Sequence, residues 1–250
     1  MVIQLYTHSS LRNFTYLVEG SDGFYCIDPF DAAQVLENLP GKLLAVINTH
    51  EHWDHTQGNS ELVSETGCEV WAHENAKGKI KAVDRFLSKG EVISLGGSKQ
   101  FIVMDTPGHT HAHLCLLLVE DKKKLAVFTG DTLFNAGVGN CHNGGDPEVL
   151  YKTISEQFQE MDDEILVYPG HEYLGNNLKF TLNLEPTNQK AIDLTQKYEE
   201  DNLLVTNMKT EREINTFLRL ENSEIINNLK GNTDNNKQVF LRLRELRNKW

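Results

Sequence analysis

The chain has 250 residues, 39% of them hydrophobic, which is enough for one large domain or a domain with a smaller companion. A net charge of −12 and a pI near 5.3 argue against a nucleic-acid tracker or a binder of anionic membranes, both of which need a basic face. No apolar stretch approaches a membrane span, Met1-Val2-Ile3-Gln4-Leu5-Tyr6 lacks the pattern of a secretory signal, and Cys26, Cys68, Cys115 and Cys141 form no CxxC, so free thiols in a cytoplasmic protein are expected. In chain order, residues 14–18 and 24–28 read as a hairpin across Glu19-Gly20-Ser21-Asp22-Gly23, and a helix is expected over 32–39. The apolar run at 43–47 reads as a buried strand ending at Thr49. A helix over 59–66 and a strand over 69–72 follow, then strands over 93–95 and 101–104 and a hairpin of 114–119 with 125–129. A helix is expected over 149–159 and a strand over 165–168. After Tyr173 strand signals stop, and helical periodicity runs to an amphipathic segment at 238–250 beyond an Asn-rich connector at 232–236. The expectation is a strand-rich catalytic domain over 1–172 and a helical domain over 173–250.

Residues 50 to 55 hold three imidazoles and a carboxylate at His50, His52, Asp54 and His55, directly after the apolar strand. Extended backbone alternates its side chains, so His50 and His52 point the same way, while Asp54 and His55 follow a turn and reach a neighbouring point. Packing asks for none of these residue types, so the cluster reads as metal-binding. His109, Asp131 and His171 each follow an apolar strand and adjoin a glycine, and strand ends converging on one sheet edge are a common place for a site. Seven ligands exceed what one tetrahedral zinc takes and suit two divalent ions, with Asp131 as the natural bridge because a carboxylate has two oxygens. Imidazole and carboxylate suit zinc, iron or manganese, with zinc the leading expectation.

Other polar residues carry blander readings. Asp28 either orients a ligand or starts a turn. His111 and His113 are expected to be structural, His8 and His73 to be ordinary surface or loop residues, and Lys122-Lys123-Lys124 a solvated turn. Two metal ions activate water at neutral pH and polarise an acyl oxygen, so the chemistry is hydrolysis, with Asp54 and Asp131 at the reacting centre. Ligand types alone leave ester, thioester, lactam and phosphodiester substrates open.

At these residues the chain resembles the metallo-β-lactamase superfamily and, within it, the glyoxalase II (hydroxyacylglutathione hydrolase) family. The match runs through Thr49-His50-Glu51-His52-Trp53-Asp54-His55-Thr56-Gln57-Gly58-Asn59, Thr106-Pro107-Gly108-His109-Thr110, Gly130-Asp131-Thr132-Leu133-Phe134, Pro169-Gly170-His171-Glu172-Tyr173 and Asn176-Asn177-Leu178-Lys179-Phe180. Residues 213–219 resemble a segment of the family's C-terminal domain. The resemblance implies an α+β fold, a four-layer αββα sandwich with a C-terminal helical domain. It implies one metal on His50, His52 and His109, another on Asp54, His55 and His171, and Asp131 bridging. The implied reaction is hydrolysis of S-D-lactoylglutathione to D-lactate and glutathione, the second step of methylglyoxal detoxification, by a monomer whose partner is this small-molecule thioester. Arg244 and Arg247 match basic residues that grip glutathione's carboxylate, and Tyr173 matches a residue near the tripeptide backbone. The family's basic and aromatic positions after its GxG turn are Asn140 and His142 here, with Cys141 between them, so another thiol carrier is an alternative. A one-metal persulfide dioxygenase of the superfamily is a further alternative, and the complete second ligand set counts against it.

Overall fold

A computed structural model describes residues 1–199 and 203–250; positions 200–202 of the expected helical region lie outside the described residues. The first sheet runs β1 (Val2–Tyr6), β2 (Phe14–Glu19), β3 (Phe24–Ile27), β4 (Leu43–Asn48), β5 (Glu69–His73) and β6 (Arg85–Leu87) in that order. Its first three strands are antiparallel and the rest parallel. The second sheet takes β7 (Val92–Gly96), β8 (Lys99–Asp105), β9 (Leu114–Glu120) and β10 (Lys123–Gly130). A two-strand ribbon, β11 (Leu133–Phe134) with β12 (Gly137–Val138), follows. Then β13 (Leu166–Pro169) adds parallel to β10, and β14 (Thr206–Asn207) closes the edge.

Alternation along the strands builds the layers. In β4, Ala45 and Ile47 face the space between the sheets and Val46 faces α1 (Ala32–Asn38) and α3 (Asn59–Thr66); Leu43 joins Val46 on the helix side because the register against β3 shifts between Leu43 and Ala45. Both faces of β4 are therefore covered, which is why its sequence is continuously apolar. In β9, Leu114, Leu116 and Leu118 enter the inter-sheet core, and Cys115, Leu117 and Val119 face helices of the C-terminal half. Tyr16, Phe101 and Phe128 fill the centre edge to face. The result is an αββα sandwich followed by a helical region.

The single turn α2 (Trp53–Thr56) lies between β4 and α3. α4 (Pro147–Thr153) starts at a proline capped by Asp146 and passes into a π turn at Ile154–Phe158. α5 (Leu174–Leu184), α6 (Gln189–Lys197), α7 (Met208–Ile214), α8 (Ser223–Asn228) and α9 (Asn236–Arg247) complete the chain. Asn188, Asn207, Asn222 and Asn235 cap the last four helices, so the asparagine-rich stretches serve as helix starts.

Three expectations need correction. The region after Tyr173 is not free of strands, because β14 pairs with β13. The helix expected over 149–159 begins earlier and ends in the π turn. His73 is not a surface residue: it is buried, accepts from the Asn75 amide and contacts the Asp105 carboxylate at 3.1 Å.

Candidate metal centre

Four strand ends deliver the site. β4 leads into His50, β8 into His109, β10 into Asp131 and β13 into His171. His52 ends the extended segment, and α2 then swings Asp54 and His55 to its side. Asn48 pins that turn by donating to the His55 carbonyl at 2.8 Å, and Asn59 donates to the Asn48 side chain at 2.7 Å.

Two triads result. His50, His52 and His109 bring ligand atoms within 4.8 Å of one another, as do Asp54, His55 and His171. Asp131 lies between them. Its Oδ2 is 3.4 Å from His109 Nε2, and its Oδ1 is 3.4 Å from His55 Nε2 and 3.3 Å from His171 Nε2. Glycines make this approach possible. A Cβ on Gly170 would stand 2.5 Å from Asp131 Oδ1, and one on Gly139 would overlap the Asp131 carbonyl oxygen.

The outer edge of each imidazole identifies its inner edge. His52 Nε2 faces the Asn143 carbonyl at 3.1 Å, His109 Nδ1 the Asn140 carbonyl at 2.6 Å, and His171 Nδ1 the Leu11 carbonyl at 2.8 Å. A carbonyl only accepts, so each of these nitrogens carries the proton. His55 Nδ1 likewise faces the Asp28 carboxylate at 2.9 Å. Thr49 spends its hydroxyl proton on Asp28, so it accepts from His50 Nδ1 at 3.0 Å. With neutral rings, five lone pairs then face inward, and His52 Nδ1 lies 3.0 Å from both His50 Nε2 and His109 Nε2. His55 Nε2 and His171 Nε2 are 3.2 Å apart. Lone pairs this close repel unless a cation lies between them, and tetrahedral zinc–nitrogen bonds of about 2.0–2.1 Å imply an edge of about 3.3 Å. Asp131 Oδ1 is buried and accepts no hydrogen bond. The donor set thus fits two divalent ions, and the two triads form a binuclear metal site.

The electrostatics agree. Burial holds His50 and His109 below the ordinary histidine value. Burial opposes charge on His55 too, but Asp131 and Asp28 outweigh it and push its pKa up to about 9. Burial would raise the pKa of Asp131, yet His171, His55 and His109 hold it well below the usual carboxylate range. In a metal-free site a proton therefore rests on His55, where a cation would replace it.

The residues expected to bind substrate meet in one place. Asn140, His142, Tyr173, Arg244 and Arg247 line a cavity of 230 Å³ together with residues of the β11–β12 ribbon and Asn177 of α5. Tyr173 stacks flat on the ring of His171 at 4.9 Å, which joins the cavity to the second triad. Arg244 is buried and donates to the Val138 and Gly139 carbonyls at 2.8 and 3.0 Å, and burial lowers its pKa to about 10. Arg247 is partly buried, rests on the Phe180 ring and donates to Asn177 at 3.1 Å.

Several contributors carry little signal in sequence. Asp28, left open between two readings, accepts from the Thr49 amide at 2.7 Å, the Thr49 hydroxyl at 2.6 Å and His55. It therefore orients a ligand. His113 is structural as expected: its Nε2 accepts from the Asp131 amide at 3.2 Å and its ring stacks on His50. Asn13 and Leu11, from the loop after β1, reach Asp54 and His171.

The comparisons with known proteins agree with this geometry. The sequence profile of the metallo-β-lactamase superfamily matches residues 11–171, and that of the hydroxyacylglutathione hydrolase C-terminus matches residues 172–250. A hydroxyacylglutathione hydrolase of Nitrosococcus oceani is 42% identical over 100% of both chains. A cytoplasmic hydroxyacylglutathione hydrolase of Arabidopsis thaliana is 31% identical over 95% of this chain and 93% of its own. The crystal structure of ETHE1 from Myxococcus xanthus superposes with a TM-score of 0.71 at 23% identity, covering 99% of this chain and 91% of that one, which supports the fold. The chain belongs to the metallo-β-lactamase superfamily and, within it, to the hydroxyacylglutathione hydrolase (glyoxalase II) family.

Proposed function

We propose that this protein hydrolyses S-D-lactoylglutathione and related 2-hydroxyacylglutathione thioesters to glutathione and the 2-hydroxy acid, in the cytoplasm, as a step of methylglyoxal detoxification. The observation that carries this reading is a pair of ligand triads facing a shared carboxylate, in a chain 42% identical end to end to a hydroxyacylglutathione hydrolase.

His50, His52 and His109 would hold one ion, and Asp54, His55 and His171 the other, with Asp131 between them. Zinc fits this donor set, and iron or manganese would use the same donors. Two such ions, when bound, lower the pKa of water to about 7 and draw charge from an acyl oxygen. Asp54 and Asp131 are the catalytic carboxylates. With neutral imidazoles around them they only partly offset two divalent charges, so the centre stays positive and attracts an anionic substrate. The departing thiol has a pKa of about 8.5, so no strong general acid is required of the chain.

The cavity between the ribbon and α9 suits the tripeptide. Arg247 reaches it with its guanidinium, and Arg244 adds a second positive charge behind the ribbon carbonyls it holds. Burial raises the Tyr173 pKa, so the phenol stays neutral; its hydrogen goes to the Leu11 carbonyl, and its oxygen is left to accept from substrate. Asn140 and His142 form the exposed rim, and their lack of a fixed charge favours looser recognition of the carrier. The protein is expected to act as a monomer.

The test is steady-state hydrolysis by the zinc-loaded protein of S-D-lactoylglutathione against the D-lactoyl thioester of N-acetylcysteine, which lacks the tripeptide arms. Losing even one charged contact is worth about 1.5–3 kcal/mol, so kcat/KM is expected to favour the glutathione thioester about tenfold or more. Equal kcat/KM would point to another carrier. No turnover of either would overturn the assignment.

A further inference from the structure

The two triads are held by different parts of the chain. Around the second, His171 Nδ1 and the Tyr173 hydroxyl both donate to the Leu11 carbonyl, at 2.8 and 3.3 Å. Leu11 and Asn13 belong to one short loop between β1 and β2. The loop turns at Arg12, whose φ of +61° lies in the left-handed region, and Ser9 Oγ accepts from the Leu11 and Arg12 amides at 3.2 Å. Main-chain bonds fix it to the segment that carries His171: Phe14 donates to the Gly170 carbonyl at 2.8 Å, and Glu172 donates to the Arg12 carbonyl at 2.9 Å.

Asn13 is 1% exposed and spends both side-chain hydrogens on Asp54. One goes to the Asp54 main-chain oxygen at 3.2 Å, the other to Oδ2 at 3.0 Å. That Oδ2 is also the oxygen 3.5 Å from both His55 Nε2 and His171 Nε2. Asn13 Oδ1 is buried with no hydrogen-bond partner. Turning the amide over would press Oδ1 against two Asp54 oxygens, so the unpaired oxygen is the cost of giving Asp54 two donors.

We propose that Asn13 is a positioning residue for the second metal position: its amide fixes the Asp54 carboxylate so that Oδ2 is presented to the ion beside His55 and His171. The proposal rests on the binuclear reading above. Without Asn13 the carboxylate can rotate about its side-chain bonds, and its ligand oxygen gains unshared charge but loses a fixed direction. Among the described residues the Asn13 side chain hydrogen-bonds Asp54 and none of the three-histidine triad, so the effect is expected at one ion only.

The test measures zinc per chain in the zinc-loaded full-length protein at graded chelator concentrations, for the wild type, Asn13→Ala and Asn13→Leu. The wild type is expected to release two ions in two steps. In Asn13→Ala one step moves to weaker binding by about 10–100-fold, the range typical of outer partners of metal ligands, while the other stays in place. Asn13→Leu keeps nearly the same shape but offers Asp54 no donor and adds no charge, so the same step moves in the same direction; this variant decides the matter if circular dichroism shows Asn13→Ala unfolded. Two unmoved steps, or two steps moved equally, overturn the proposal while leaving the binuclear reading intact. A wild type holding one ion overturns both.

Discussion

Asp28→Asn removes one charge from the floor of the metal centre with almost no change of shape. Asp28 is buried at a φ of +52°, a region that asparagine tolerates as well as aspartate, so the substitution adds no backbone strain. The variant amide can still accept from the Thr49 N–H. Its NH₂ group must then face the two other donors, the Thr49 hydroxyl and His55 Nδ1. A buried donor left unpaired costs about 1–3 kcal/mol. His55 can escape that cost by moving its proton to Nε2, but Nε2 then points a hydrogen where it should offer a lone pair. Metal binding must reverse the shift, and such losses of an outer partner typically weaken metal affinity about 10–100-fold. Chelator competition on the zinc-loaded protein measures the affinity, and thermal melting of the metal-free protein measures the stability. Asp28→Asn is expected to weaken the site that includes His55 by that factor and to lower the stability of the metal-free fold. Wild-type metal affinity in a folded Asp28→Asn protein would refute the reasoning, because the carboxylate would then have no part in setting the tautomer.

Other expectations follow from the same contacts. His55 has a pKa of about 9 in the metal-free fold against 6.5 ordinarily. Its charge therefore stabilises the metal-free fold fully below about 6.5, and that contribution is lost as the pH rises through 9. A divalent ion must displace this proton, so zinc affinity should rise across the same window; a flat profile by calorimetry would contradict the His55 assignment. Gly170→Ala puts a Cβ 2.5 Å from Asp131 Oδ1, and overpacking of this kind costs about 1–3 kcal/mol. Metal analysis should find it deficient in zinc, and full loading would show that the strand end can move aside. Arg247→Ala and Arg244→Ala should each raise KM for S-D-lactoylglutathione more than they lower kcat, because both contacts are remote from the scissile bond. Arg244→Ala should also lower the melting temperature, since it leaves two ribbon carbonyls without their donor. An unchanged KM in steady-state assays would remove the residue from the carboxylate clamp.

What could be read in the sequence depended on how local each signal was. His50, His52, Asp54 and His55 stand within one turn of chain and need no fold to be recognised as ligands. His109, Asp131 and His171 were legible because each follows an apolar strand. The outer partners of the ligands carry weaker signals: nothing in the sequence marks Asn13, and Asp28 reads equally well as the start of a turn. Asn13 reaches Asp54 across 41 positions and Asp28 reaches His55 across 27, and neither residue type is unusual beside a turn. β11, β12 and β14 are two residues long, too short for any periodicity to show. β1 is only partly buried over its first half, which hid its alternation. A lone histidine after a strand carries no sign of its burial partner, so the contact of His73 with Asp105 has no mark in the sequence. The meeting of Asn140 and His142 with Arg244 and Arg247 depends on α9 folding back onto the ribbon, a contact that resemblance to the family suggested and that local pattern could not.

The central claim is that two ions on two triads sharing Asp131 make this chain a thioesterase. Its most direct test is to titrate the metal-free protein with zinc while following hydrolysis of S-D-lactoylglutathione. Activity is predicted to keep rising until about two equivalents are bound and to level there. Full activity at one equivalent, or none with both positions filled, would contradict the account.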